Sequence, residues 1–161
     1  MCIRDSGVID LFGSGVNYNY EGAYGAKTKF ACSAGGSIYY DTATNDRSAQ
    51  VLDFRMTGGE VLGVGPFSLS GEYIDKGDGI GQLFTWGATA SAMLGKDWEL
   101  GVSFEDFEDF DRVIGADLGR VSLTYFVSGH DAKVQIVYAD ANSNAPLVDD
   151  ETLILGVTLG I

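Results

Sequence analysis

The last ten residues of the chain alternate between two kinds of side chain. From 152 to 161, every second residue is Leu, Val or Ile, and the residues between them are Thr, Ile or Gly. A period of two indicates a β-strand with one apolar face and one small or polar face. About ten residues is the length of a tilted strand that crosses a bilayer, whereas strands average about five or six residues in soluble proteins. The segment therefore predicts a transmembrane β-strand.

The same alternation recurs upstream and predicts about nine strands in all. The others lie near 12–20, 30–40, 52–57, 67–73, around Trp86, 98–105, 120–127 and 132–138. Between them, acidic or polar loops are expected at 41–48, 75–79, 105–112 and 139–151, and shorter turns at 58–65, 95–97 and 128–131. Long loops alternating with short turns are typical of a bacterial outer-membrane barrel, whose long loops face outward. The sequence thus predicts an all-β, antiparallel, up-and-down transmembrane β-barrel.

Composition limits the partners and the alternatives. A chain of 161 residues fits one domain, and its net charge of −13 argues against a nucleic-acid partner or a polybasic membrane-docking surface. The stretch 79–95 carries no charge, but it alternates between apolar and small residues, which predicts a strand and not a membrane-spanning helix. Twenty-three glycines and two prolines suit tightly turning β-structure.

The first six residues, MCIRDS, resemble the translation of a sequencing-library transposon adapter, whose bases read ATG TGT ATA AGA GAC AG. We therefore exclude residues 1–6 from the fold prediction and assign 7–161 to the barrel. On this interpretation the coding sequence is cut at its 5′ end. Cys32 is then the one native cysteine, which leaves no pair for an internal disulfide.

No residues are predicted to be catalytic, to bind a cofactor or to hold a metal. His130 is the one histidine of the sequence and lies in a predicted turn, which does not suit a catalytic triad. Asp75 and Asp78 lack the spacing of a calcium loop. The acidic run 105–111 could gather divalent cations that bridge lipopolysaccharide, but a solvated loop is the favoured interpretation.

Charged residues within the predicted strands all share the polar parity. A charge that faces lipid at the bilayer midplane costs about 2–4 kcal/mol, so these side chains are expected to face a lumen. We predict that they line a pore and set its ion preference, although they could instead form salt bridges that fill a small closed barrel. They are Asp53, Arg55, Glu72, Glu99, Arg120 and Lys133.

Aromatic residues near the strand ends tend to share the apolar parity. Amphipathic rings favour the depth of the lipid headgroups, so girdles are expected at both membrane interfaces. The residues concerned are Tyr40, Tyr73, Trp86, Trp98, Phe104, Tyr125 and Tyr138.

Two motifs resemble those of the phosphate-selective porin O/P family. Residues 122–136, SLTYFVSGHDAKVQI, resemble its penultimate hairpin, and 66–73, PFSLSGEY, are similar to a family strand. The resemblance implies the C-terminal half of a sixteen-stranded channel that is a homotrimer when full length, in the bacterial outer membrane among lipid and lipopolysaccharide. Two features depart from the family. Few arginines and lysines are available to line a pore, and the chain ends on Ile161 instead of an aromatic residue.

The expected function is therefore a porin, a passive diffusion channel for small hydrophilic solutes or ions without strong phosphate selectivity. The alternative is a complete barrel of eight to ten strands that has a structural or binding role and no channel. An enzyme embedded in a barrel is a third possibility, and no residue of the sequence supports it.

Overall fold

A computed structural model describes residues 2–12, 23–24, 30–41, 47–59, 65–77, 82–109, 115–129, 131–143 and 150–159. The described residues form nine strands and no helix. The strands are β1 (Cys2–Phe12), β2 (Ala31–Asp41), β3 (Arg47–Gly58), β4 (Phe67–Gly77), β5 (Gln82–Met93), β6 (Trp98–Asp109), β7 (Gly115–Ser128), β8 (Ala132–Ser143) and β9 (Asp150–Leu159). Within this part of the chain, no helix has the length and apolarity needed to cross a membrane.

The strands form one sheet in sequence order, and every neighbouring pair is antiparallel. This confirms the predicted all-β meander. Each strand has 10 to 14 residues, longer than usual in soluble proteins. In the described residues β1 and β9 are edge strands, and no pairing between them closes the sheet.

The acidic segments belong in part to strands, so the predicted loop boundaries were wrong. β4 continues to Gly77, β6 to Asp109 and β8 to Ser143, each through residues that sequence composition assigned to loops. Ladder hydrogen bonds join backbone groups and need no apolar side chains, so a hairpin can extend into water.

The predicted difference in loop length between the two ends of the sheet is also wrong. At the acidic end the strands are joined by 42–46, 78–81, 110–114 and 144–149. At the opposite end the connections are 13–30, 59–66, 94–97 and 129–131. The last two are the predicted short turns, and Gly95 and Gly129 there have positive φ angles of 107° and 59°, which glycine adopts without strain. We call this second end the short-turn end.

The N-terminal region differs from the prediction. The strand expected near 12–20 lies outside the described residues, apart from Phe12, which ends β1. Residues 2–6, which the adapter interpretation excluded from the fold, belong to β1 and pair with 37–41. Because backbone pairing is independent of the origin of a sequence, the adapter interpretation stays a prediction.

Candidate functional site: the polar face of the sheet

The pairing register divides the side chains between two faces of the sheet. Asp53 pairs with Glu72, Glu72 pairs with Gly87, and Gly87 pairs with Glu105, so these four residues form one cross-strand row on the same face. All six charged residues predicted to line a pore share this face, which we call the polar face: Asp53, Arg55, Glu72, Glu99, Arg120 and Lys133. The opposite, apolar face carries large apolar residues of the other parity: Leu52, Phe54, Leu69, Leu100, Val102, Leu123, Ile136, Leu155 and Leu159. The predicted separation of the two sets is confirmed.

Small hydroxylated side chains cover the middle of the polar face. Ser70, Thr89 and Ser103 lie in one cross-strand row, and Ser91 and Ser122 flank Gly101 in the next. Gln135 Nε2 donates a hydrogen bond of 3.0 Å to the hydroxyl of Thr124, its direct cross-strand partner. Because these side chains are small, they leave open space above the sheet. A cavity of about 260 Å³ lies over this region.

Charged groups gather toward the acidic half of the polar face. A cavity of about 480 Å³ is lined by Asp53, Arg55, Glu72 and Glu105, with small residues between them. Asp53 leans over Gly35, whose missing side chain leaves room for its carboxylate: an added Cβ would lie 2.6 Å from Asp53 Oδ2. Water or ions in this cavity would therefore meet carboxylates from three strands and one guanidinium group.

Arg120 and Glu105 form an ion pair across β6 and β7. Arg120 Nη1 donates to Glu105 Oε1 at 2.6 Å, and Nη2 donates to Oε2 at 3.3 Å. Both side chains are partly exposed, at 36% and 46%, so solvent screens the attraction. Glu105 was not among the predicted pore-lining residues, because it was placed at the boundary between the predicted strand 98–105 and the predicted acidic loop 105–112. In the structure β6 continues to Asp109, so Glu105 lies well inside the strand.

Glu99 has a different environment from the other carboxylates of the polar face. Its Oε2 accepts hydrogen bonds from the backbone N–H groups of Ala23 and Tyr24, both at 2.9 Å. The Tyr24 ring stacks on Phe126, with centroids 4.0 Å apart and an angle of 24° between the planes. Ala23, Phe126 and Met93 form a buried hydrophobic cluster here. Sequence reasoning missed these contacts, which join residues 75 and 76 positions apart.

Large apolar side chains are exposed along the whole apolar face. Leu52, Val102 and Leu155 have 62%, 47% and 70% of their surface accessible. All seven aromatic residues predicted to form girdles lie on this face, and each is 37% to 45% exposed. Trp86 Nε1 donates to Asp106 Oδ2 at 2.8 Å. A face of this kind needs a covering that the described residues do not supply.

Five of these aromatic residues form a line that runs obliquely across the strands. The cross-strand row of Tyr138 passes through Val102, Ala90, Leu69 and Cys32. On the other strands, the aromatic residue of the line is displaced from that row toward the acidic end. The displacement is two residues on β6, four residues on β5 and on β4, and eight residues on β2. The line comprises Tyr138, Phe104, Trp86, Tyr73 and Tyr40. Beyond it, toward the acidic end, the apolar face carries carboxylates, including Asp75, Asp106, Asp117 and Asp140.

The described residues hold no candidate metal centre. No group of three or more His, Cys, Asp or Glu side chains in that part of the chain could hold a metal ion. His130 and Asp78 lie outside the described residues, and Cys32 is a buried free thiol. The predicted absence of a catalytic or cofactor site stays a prediction.

Comparisons with known proteins give no match. No protein-family model, curated protein or solved structure matches the chain.

Proposed function

We propose that the chain is part of an outer-membrane porin, with lipid against its apolar face and water against its polar face. The observation that carries this proposal is the oblique aromatic line. Strands of a membrane barrel tilt by about 35–45° from the barrel axis, so a girdle at constant depth must cross successive strands at shifted positions.

The size of the shift agrees with such a tilt. From Tyr138 to Tyr40 the line advances eight residues over six strand spacings. With about 3.3 Å per residue and about 4.8 Å between strands, this is about 26 Å along the strands and about 29 Å across them. The line therefore makes an angle of about 42° with the cross-strand rows. A soluble sheet has no reason to order its aromatic residues in this way.

The height of the apolar band also agrees with a bilayer. Trp98 and Tyr125, 4.8 Å apart, mark the short-turn end of the band. Trp98 lies eight residues along β6 from Asp106, the cross-strand partner of Trp86. Eight residues span about 26 Å along a strand, or about 20 Å along the normal at this tilt, close to the ~25 Å apolar band of such barrels.

On this proposal, the polar face is the wall of a diffusion channel for small hydrophilic solutes or ions. The carboxylates of Asp53, Glu72, Glu99 and Glu105 outnumber the cations of Arg55, Arg120 and Lys133. A wall of mixed charge with a slight negative excess does not favour anions, so we expect weak cation preference and no strong phosphate selectivity. The small residues of the polar face favour a channel over a small barrel filled by its own side chains.

An open sheet cannot remain unpaired in hydrocarbon, because the backbone groups of β1 and β9 would lack partners. We therefore propose that further strands complete the barrel, as the resemblance to the phosphate-selective porin O/P family implies. The complete protein would be a homotrimer in the bacterial outer membrane, in contact with lipid and lipopolysaccharide.

Recordings in planar bilayers test the channel, with the protein expressed from its complete coding sequence. We expect ion conductance with a reversal potential that indicates weak cation preference. Replacing both Asp53 and Glu72 with Lys should move the preference toward anions. The control, Asp117→Lys, makes the same kind of change at an exposed residue of the apolar face and should leave the preference nearly unchanged. Absence of conductance, or block of the wild-type current by micromolar phosphate, would contradict the proposal.

A further inference from the structure

We propose that Tyr24 narrows this channel at its short-turn end and that Glu99 is the positioning residue that holds it there. The inference rests on the proposed channel function for its consequence, but the contacts themselves do not depend on it.

The location of Ala23 and Tyr24 is the first observation. The chain leaves β1 at Phe12 and enters β2 at Ala31, so both residues belong to the β1–β2 connection. They nevertheless bind Glu99 on β6, four strands from β2. Four strand spacings amount to about 19 Å. The two residues therefore lie far along the polar face from the strands that they connect.

The second observation is how they are held. One carboxylate oxygen of Glu99 accepts two backbone N–H groups, and a charged acceptor makes stronger hydrogen bonds than a neutral one. Ala23 is fully buried, and Phe126 is only 4% exposed beneath the Tyr24 ring. Polar anchoring and aromatic stacking together fix the backbone and the ring.

The third observation is the direction of the ring. Tyr24 Oη lies 3.6 Å from the position that a Cβ on Gly129 would take, so the side chain extends to the β7–β8 turn at the short-turn end. Phe126 belongs to the polar face, where it pairs with Lys133 in the register. A partly buried Tyr24 ring stacked on the buried Phe126 ring, on the wall that we assign to water, reduces the open cross-section there. Tyr24 would then set the size of solute that passes.

Glu99 has a second consequence for the channel. Its carboxylate is committed to the backbone of residues 23 and 24 and is not simply a solvated charge of the wall. We therefore expect that Glu99→Gln, which keeps an oxygen acceptor, preserves the narrowing, whereas Glu99→Ala releases it. Rescue by the amide distinguishes positioning from a direct effect of the charge on permeating ions.

Channel size is measured by conductance and by the largest polyethylene glycol that enters the pore. We expect Tyr24→Ala and Glu99→Ala to raise conductance by about 1.5-fold or more and to admit larger polymers. Tyr24→Phe and Glu99→Gln should keep the polymer cut-off of the wild type. Val127→Ala is the matched control, because Val127 follows Phe126 on the same strand but is 62% exposed on the opposite face. Equal conductance and polymer cut-off in wild type and Tyr24→Ala would overturn the narrowing while leaving the channel proposal intact.

A double-mutant cycle in detergent micelles tests the contact independently of conduction. If Tyr24 stacks on Phe126, the effects of Tyr24→Ala and Phe126→Ala on the folding constant should be non-additive by about two- to tenfold. The pair Tyr24→Ala and Val127→Ala should be additive. Additive effects for Tyr24 and Phe126 would overturn the inference whether or not the protein conducts. A wild type that does not conduct would instead refute the channel, and the narrowing with it.

Discussion

An arginine introduced on the apolar face of β5, compared with one introduced on the polar face, tests which face contacts lipid and which contacts water. Ala90 lies on the apolar face between Leu69 and Val102, and Thr89, the preceding residue, lies on the polar face between Ser70 and Ser103. The two substitutions introduce the same side chain one residue apart in the same strand. The effect of the added charge on the unfolded state is therefore nearly the same in both variants. Replacing Thr loses β-propensity and replacing Ala does not, so this term works against the expected difference.

The structure sets the expected magnitude. Ala90 lies four residues from Trp86, and its partner Val102 lies four residues from Trp98. Ala90 is therefore midway between the two aromatic boundaries, at the expected midplane of the bilayer. Arginine facing lipid at that depth costs about 2–4 kcal/mol. Thr89 follows Gly87 by two residues, and Gly87 pairs with Glu72 on one side and Glu105 on the other. An arginine at position 89 therefore meets carboxylates and water, and it should change stability by less than about 1 kcal/mol.

The assay is the free energy of unfolding in lipid vesicles, obtained from guanidinium titrations that follow tryptophan fluorescence. Ala90→Arg should lower it by about 2–4 kcal/mol relative to Thr89→Arg. If the two variants were equally stable, or if Thr89→Arg were the more damaging one, the assignment of faces to lipid and water would be wrong.

Two further outcomes follow from particular contacts. Arg120 and Glu105 form a partly exposed pair, so a double-mutant cycle with Arg120→Ala and Glu105→Ala should give a coupling free energy of no more than about 1 kcal/mol. This coupling should weaken in 1 M salt. A coupling of several kcal/mol that does not change with salt would contradict this and indicate a desolvated pair. Gly65→Ala places a Cβ 2.9 Å from the backbone oxygen of Met93, so it should destabilise the protein by about 1–3 kcal/mol. At Gly119 the nearest atom to an added Cβ is 4.0 Å away, so Gly119→Ala should be nearly neutral. Equal thermal midpoints of the two variants would contradict this reasoning.

Local alternation was sufficient to predict strands β2 to β9 and the two faces of the sheet, but not β1. Trp98, Leu100 and Val102 share one parity along β6, and because each strand pairs with its sequence neighbour, this parity extends through Leu123 to Leu155. A shift of one residue would exchange the faces, so the apolar pattern also constrains the register.

Strand ends and the contacts of Ala23 could not be predicted in the same way. Composition marks where a strand leaves an apolar environment, and the backbone ladder can end elsewhere. The predicted strand therefore ended at Glu105, whereas β6 continues to Asp109. The hydrogen bond from Ala23 to Glu99 joins residues 76 positions apart, and no short-range pattern encodes such a contact.

Depth-dependent quenching of tryptophan fluorescence in vesicles tests the orientation of the sheet in lipid most directly. Trp86→Phe and Trp98→Phe each leave one native tryptophan. In either variant, that tryptophan should be quenched more by lipids brominated near the headgroup than by lipids brominated at the bilayer centre. With both natives replaced, Val102→Trp should be quenched best at the centre, and Thr89→Trp on the polar face should be quenched by aqueous iodide instead. Iodide quenching of Val102→Trp with no effect of brominated lipid would contradict the account.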